Sequence, residues 1–413
     1  MSDTYKAAES ASPSLTSVEA MQINSTVQAP VPRQLLIEFT GSGSEYFRIW
    51  IVNLLLILVT LGFYLPWAKV RRFRYFYSNT LIDSDPLHFH GEPLQMFKGI
   101  LIVLVLSMVF SLLGILWNEA NLIYILVIAA LWPALFRLTL RYRLSNTSWR
   151  GLRFAFGGTV KDAYGVCMPL LTPSILFGLI YVFFNDSADS SDVIDQDFKI
   201  IVWLIIALFI LYHIAVLPWF FCRLKNYQHQ NYCFSSEAAV FTAKAGDYYF
   251  IQLEWIGLFL VISIASFMTW LPFFWLSLLD RVPFWYKSFF MWPFSSICFL
   301  MIVLSLFVLL PSSIIGSVHN LVWGHTHSEH LRFSSTLRLK QMMTLSTRNW
   351  LLTLLTLGLY RPFAVIAMAR LRLESVQIEC SVDPSQWTVG SSKVQSNAVG
   401  VASGDFWGID VGL

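Results

Sequence analysis

Apolar residues occur along this chain in long unbroken runs. "GILIVLVLSMVFSLLGILW" (99–117) and "IIVWLIIALFILYHIAVLPWFF" (200–221) each exceed the roughly 18 residues that read as a bilayer-crossing helix. Three pairs of runs, 98–117 with 121–140, 166–184 with 200–221 and 249–271 with 289–310, predict three helical hairpins that cross and return. The segments between the hairpins read differently: "LHFHG", "LRFAFGG" and the earlier "LIEFTGSG" alternate apolar and polar side chains, the period of a half-buried strand. Four such segments, beginning "RYFYSNT", "RYRLSNT", "CRLKNYQHQNY" and "VHNLVWGHTH", each run from a polar helix end near an Asn to a Phe followed by small residues. Internal repetition of this kind predicts a recurring unit, a strand-like patch followed by a membrane element.

The first and last apolar runs form a second repeat. Aligned without gaps, Asn53–Arg74 and Asn349–Arg370 share Asn, Leu, Leu, Leu, Thr, Leu, Gly, Tyr, Pro, Ala and Arg at matching positions, including "TLGFYLP" and "TLGLYRP". Gly62 and Gly358 permit a backbone conformation other residues resist, Pro66 and Pro362 remove a donor, and a break or kink is predicted there. Tyr64 and Tyr360 suit the headgroup level. Each run either crosses once or enters and returns. Repeat logic favours return and length favours crossing, so the expectation is an all-α polytopic protein of about eight membrane segments, three hairpins plus two kinked or re-entrant helices, with small β-rich loop patches.

Composition fits this reading: of 413 residues, 56% are hydrophobic and only 13% charged, with mean hydropathy +0.60, too much apolar surface for a water-soluble interior. The net charge of +3 matters less than its placement. Loops 68–98, 141–162, 222–247 and 317–348 hold nearly all the Lys and Arg, including Arg143 and Lys225, whereas the opposite connections hold Lys199, Arg281 and Lys287. The positive-inside rule places the basic loops in the cytoplasm. Residues 1–33, rich in Ser, Thr, Ala and Pro, and 391–413 read as tails around a membrane domain at 34–390. Five cysteines without CxxC spacing suggest neither disulfides nor zinc.

The stretches from "EFTGSGSEYFRIW" to "RRFRYFYSNT", with "SNTSWRGLRFAF", "NWLLTLLTLGLYRPFA" and the closing "FWGIDVGL", resemble the YjgN-like family of bacterial inner-membrane proteins, a domain of unknown function. The likeness runs over nearly all the chain after about Arg33. It implies a multi-pass protein of the bacterial inner membrane and implies no activity.

Candidate chemistry is sparse. Glu254 and His213 both lie on the order of 10 Å inside the same leaflet, where an ionisable group needs a partner or a wet cavity, and they suggest a proton-linked or cation site; the bland alternative is structural hydrogen bonding. The broken helices at Asn53, Gly62, Tyr64 and Pro66, and at Asn349, Gly358, Tyr360 and Pro362, offer backbone groups to an ion or anionic solute, against a bland reading in which Gly and Pro only shape a kink. "GHTHSEH" (His325, His327, Glu329, His330), with His88 and His90, has metal-type residues, but nothing in the sequence completes a site, so no metal and no cofactor are expected. The basic, aromatic loops meet anionic lipid rather than nucleic acid. No phosphate loop, nucleophile elbow or dinucleotide fingerprint is present. The expected function is a transporter or channel for a small solute or ion. The alternative is a non-transporting scaffold or sensor with a cytoplasmic partner- or ligand-binding surface.

Overall fold

Strand-like patches far apart in the chain find one another, Arg33 pairing with Cys380. In the computed structural model, which describes residues 33–116, 120–188, 196–235, 237–278, 285 and 292–382, eleven short strands form a single sheet whose ladders are antiparallel. They are β1 (Arg33–Phe39), β2 (Thr80–Ile82), β3 (Asp85–Phe89), β4 (Thr147–Trp149), β5 (Leu152–Phe156), β6 (Tyr232–Phe234), β7 (Glu237–Ala238), β8 (Val240–Phe241), β9 (Thr326–His327), β10 (Leu331–Ser335) and β11 (Val376–Cys380). Their order is β7-β6-β5-β4-β3-β2-β1-β11-β10-β9-β8, so the two ends of the sheet are consecutive in the chain, joined by Ala239. The patches expected as small and separate thus make one barrel-like sheet. Its inward side chains, among them Leu35, Trp149, Phe234 and Ile378, pack together across the interior. The β2–β3 and β4–β5 turns place Asp83, Ser84, Arg150 and Gly151 at positive φ, the two-residue geometry that matches strand twist.

Between visits to the sheet the chain runs out through helices and comes back. The helices are α1 (Gly43–Val59), α2 (Leu65–Ser78), α3 (Pro93–Leu116), α4 (Ala120–Ser145), α5 (Val160–Ala188), α6 (Gln196–His229) and α7 (Ala245–Leu278). They continue with α8 (Trp292–Leu304), which passes through a π-helical turn (Ser305–Leu309) into α9 (Leu310–Gly324), then α10 (Leu339–Leu355) and α11 (Arg361–Glu374). Each outgoing or returning helix packs on the next, and α11 packs back on α1, so the helices ring the sheet.

Among the described residues six helices have the length and apolarity to cross a membrane, within Pro93–Ile115, Ile123–Ser145, Val160–Ile180, Ile200–His229, Ala245–Leu271 and Ile302–Gly324. The TLGxYxP runs are not among them. Each is a helical hairpin whose two ends meet the sheet: Thr40 N donates to Asn79 O at 3.0 Å below the first, and Thr336 N to Ser375 O at 2.9 Å below the second. The turn follows from its sequence. Thr60 Oγ1 donates to Leu56 O and accepts from Tyr64 N, while Gly62, at φ +94, sends its N–H back to Ile57 O. Pro66 sits in the first turn of α2, where a missing donor costs nothing. Thr356, Gly358 and Pro362 repeat each feature. Of the eight membrane segments expected, six are crossing-length helices among the described residues, and the two expected as kinked or re-entrant are hairpins with both ends at the sheet.

The recurring Asn-to-Phe pattern also has a physical cause. Phe39, Phe89 and Phe156 end strands and lie against Gly41, Gly91 and Gly158, where a Cβ would come within 2.7, 2.5 and 2.6 Å of the rings. A tyrosine from a returning helix reaches the same corner: Tyr75 OH donates to Ser42 O, Tyr142 OH to Glu92 O and Tyr227 OH to Thr159 O. Arginines Arg370, Arg74 and Arg137 donate to the three glycine carbonyls in turn. Asn79, Asn146 and Asn231 cap the returning helices by donating Nδ2 to the carbonyls of those same tyrosines.

One seam lacks a backbone ladder. Across it the Glu237 carboxylate accepts from Ser328 Oγ at 2.7 Å and from His330 Nδ1 at 2.6 Å, tying β7 to the β9–β10 loop. Burial alone would raise the Glu237 carboxyl, but the hydrogen bonds from Ser328 and His330 outweigh it and hold it below the ordinary value of 4.5. The same bond to Glu237 raises His330 above 6.5. The connections at 117–119 and 189–195, and the tails expected at 1–33 and 391–413 apart from Arg33, lie outside the described residues.

Two outcomes follow. Gly91→Ala drives a Cβ into the Phe89 ring and the Tyr142 hydroxyl, and should destabilise the protein by about 1–3 kcal/mol, read as a lower melting midpoint in detergent. The Glu237–His330 pair is fully formed only between the two ordinary values. The carboxylate's contribution is lost as pH falls through its lowered value, and the imidazole's as pH rises through its raised one. Glu237→Gln should lower the melting midpoint near pH 5.5 and flatten its fall on both sides; an unchanged profile would show that the seam holds without it.

Candidate binding cavity

The structure does not bring the two intramembrane ionisable residues together. His213 Nδ1 meets Phe209 O at 2.8 Å and Nε2 meets Ser174 Oγ at 3.0 Å, so both imidazole nitrogens are occupied within α5 and α6. Gln252 and Tyr249 of α7 donate to Ile214 O and Ala215 O of α6. Glu254 lies two residues beyond Gln252, about 200° around the helix, and is exposed on another face. The loop histidines are spread out as well: His330 is tied to Glu237, His325 Nδ1 to Leu321 O and His90 Nε2 to Ser148 Oγ. Among the described residues no group of three or more His, Cys, Asp or Glu converges.

In the hairpins, Asn53 and Asn349 are buried at 7% and 5% exposure, and the Oδ1 atom of each lacks a hydrogen-bond partner. Asn349 Nδ2 donates across to Ala364 O at 3.3 Å. Pro66 and Pro362 are fully buried. Tyr64 stacks on Trp67 and Tyr360 on Phe363, while the turns carrying Gly62 and Gly358 end in Leu61 and Leu357, exposed at 89% and 93%. Such tips belong in hydrocarbon.

A different place gathers charge. Between the sheet and the last turns of the five helices that return to it lies a cavity of about 360 Å³. Helices α2, α4, α6, α9 and α11 deliver Tyr77, Arg143, Lys225, His319 and Arg372 to it, and the sheet delivers mainly apolar side chains such as Leu35, Trp149 and Phe333. The cause is geometric: each returning helix ends at the rim of the sheet, so residues one to five positions before its end point under the barrel. The imidazoles there are held, His229 Nδ1 at 3.2 Å from Thr326 Oγ1 and His319 Nε2 at 3.2 Å from Ser375 Oγ. Arg143 also lies over the Phe73 ring, 5.4 Å from its centroid.

Lys225 differs from these neighbours. It makes no hydrogen bond or ion pair among the described residues, and its ammonium shares the cavity with Arg143 and Arg372. The single carboxylate in the lining is Glu237, already engaged at the seam. A cation removed from bulk water without a partner is costly, so this arrangement suits an anion. With walls mostly of aliphatic and aromatic side chains, the fitting ligand has an anionic head and an apolar body. The sequence reading counted Arg143 and Lys225 only as orientation charges and did not single out Arg372. The available signal was their recurrence within two turns of each strand.

The profile of a bacterial family matches residues 34–406, with the description "Bacterial protein of unknown function (DUF898)". Inner membrane protein YjgN of Salmonella typhimurium is 30% identical over 164 residues, 39% of this chain and 41% of that protein. Inner membrane protein YjgN of Escherichia coli O157:H7 is 31% identical over 156 residues, 35% and 37% of the two chains. The matched region thus spans about two fifths of the length of these curated relatives. No solved structure matches the chain. With six crossing-length helices and relatives so named, this is a multi-pass inner-membrane protein in contact with the lipid bilayer. A match over most of its length makes the chain a member of the bacterial family of unknown function DUF898.

Proposed function

We propose that this protein is a membrane-anchored binding protein whose cytoplasmic strand barrel takes up a small amphipathic anion. The observation that carries the reading is Lys225, a cation without a hydrogen-bond or ion-pair partner among the described residues, inside a cavity it shares with Arg143 and Arg372. Cations near helix C-termini also complement the helix dipole, a purely structural role. That role asks for no cavity, and Lys225 shares its space with two further cations, Arg143 and Arg372. The anion's head meets Lys225 and the arginines, and its apolar portion lies against the strands. Under this reading the repeated helix-and-strand units serve to bring five helix ends to one chamber.

A second reading, transport through the helix ring, is favoured by the orphaned Oδ1 atoms of Asn53 and Asn349, which offer acceptors to a cation beside the broken helices. His213 and Glu254 remain candidates for its coupling site, each acting without the other.

Decanoate, decyl phosphate and decanol test the first reading on the purified protein. The two anions should raise the melting midpoint and the alcohol should not, with stabilisation near 2.7 kcal/mol at a hundredfold excess over Kd. Lys225→Met should weaken the anions on the order of tenfold, the scale of one charged hydrogen bond. Equal stabilisation by the alcohol, or an unaffected Lys225→Met, would remove the basis for this proposal. For the second reading, single cysteines at 213 and 254 in a chain lacking its five native cysteines should stay unmodified by water-soluble thiol reagents if binding is the whole function. Modification at either position would instead show a water path in the membrane.

A further inference from the structure

The two helical hairpins correspond position by position: α1 and α10 are both 17 residues, α2 and α11 both 14, and the turns between them match at Leu61 and Leu357, Gly62 and Gly358. One serves as a reference for the other. In the first hairpin the angle between the helices is closed by Tyr75, whose hydroxyl accepts from Ser42 N at 2.9 Å and meets Ser42 O and Glu45 Oε2 at 3.0 and 3.2 Å. In the second hairpin the position of Tyr75 is Leu371, that of Ser42 is Arg338, and that of Glu45 is Gln341. The angle is left open there as a groove of about 510 Å³.

Arg338, Lys340 and Arg348 line that groove, with Gln341 and Thr344 between them and Leu345 and Leu371 at its base. No acidic residue lines it, and the three cations make no hydrogen bond or ion pair among the described residues. Where the first hairpin has Ser44 and Val52, the second has Lys340 and Arg348. Where the first hairpin has Arg48 the second has Thr344, so the same scaffold has lost its filling side chain, its acid and one arginine, and gained three cations, a net gain of two.

Depth identifies the occupant. The far half of α10 exposes Leu351, Leu354 and Leu355, and the turn exposes Leu357, so this end lies in hydrocarbon. Arg348 is nine residues before Leu357, roughly 13 Å back along the helix, and Arg338 lies a further 15 Å or so towards the sheet. This spread covers the headgroup layer of the leaflet that the hairpin enters. We propose that the groove between α10 and α11 holds the phosphate headgroup of an anionic phospholipid, with Arg348 and Lys340 on the phosphate, Arg338 at its outer edge, and Leu345 and Leu371 against the upper part of the acyl chains. A basic pocket between helices at the cytoplasmic face is suited to such a headgroup.

The test uses the full-length protein in neutral detergent, with phosphatidylglycerol, phosphatidylcholine or inorganic phosphate as probe, read by native mass spectrometry and by the melting midpoint. Phosphatidylglycerol should stay bound and raise the midpoint, phosphatidylcholine should not, and inorganic phosphate at the same concentration should not displace the lipid. Arg338→Gln with Lys340→Gln and Arg348→Gln should weaken retention about tenfold or more. Leu371→Tyr, which restores the filling side chain of the first hairpin and keeps every charge, should do the same. A control removing equal charge from exposed positions elsewhere, Arg153→Gln with Lys244→Gln and Arg332→Gln, should retain the lipid. Retention by both groove variants, equal loss in the control, or displacement by inorganic phosphate would each overturn the proposal.

Discussion

The constraint on which this architecture depends is that short strands cannot stand alone. The strands are two to seven residues long, and each hairpin would leave edge donors and acceptors unpaired where the chain re-enters the membrane. Pairing each hairpin with the next satisfies those groups only if the hairpins surround a common interior, so the sheet curls until its ends are neighbours in the chain. The N-terminal strand β1 joins β11 on one side and β2 on the other, which closes the circuit between the two ends of the described chain. Helix packing then follows from strand pairing, and the ring of helices closes where α11 meets α1.

Closure has an electrostatic consequence. Five returning helices end under one small sheet, so side chains in their final turns face each other rather than water. Basic residues are placed at these ends by the orientation rule for membrane proteins, and the geometry converts a topological signal into a charged chamber. Some of that charge is absorbed locally, as by Phe73 beneath Arg143. Among the described residues Lys225 has no such arrangement, and the only carboxylate lining the chamber, Glu237, is committed to the seam of the sheet.

The hairpins show how one backbone accommodates two surface chemistries. Both use a threonine hydroxyl, a left-handed glycine and a first-turn proline to reverse direction. With the turn fixed by a few residues, the outer faces are free to differ: Tyr75 seals one with hydrogen bonds, and Leu371 leaves the other open and basic.

The sequence by itself determined that hydrocarbon surrounds most of the helices, that the positive loops share one side, where several of the strands lie, though not β11, and that the TLGxYxP segments break. These features depend on local pattern, on run length, alternation and the backbone limits of Gly and Pro, and they are readable residue by residue. Whether the broken segments cross or return was decided by tertiary structure, because the hydrogen bonds joining Thr40 to Asn79 and Thr336 to Ser375 connect residues about forty positions apart. The joining of patches into one sheet was likewise not local: β1 pairs with β11 across almost the whole chain. The cavity is the extreme case. Arg143, Lys225 and Arg372 come from three helices, and only closure of the ring brings their charges into one space. His213 and Glu254 illustrate the converse, since equal depth in the membrane was legible in sequence while the helix face of each side chain was set by packing.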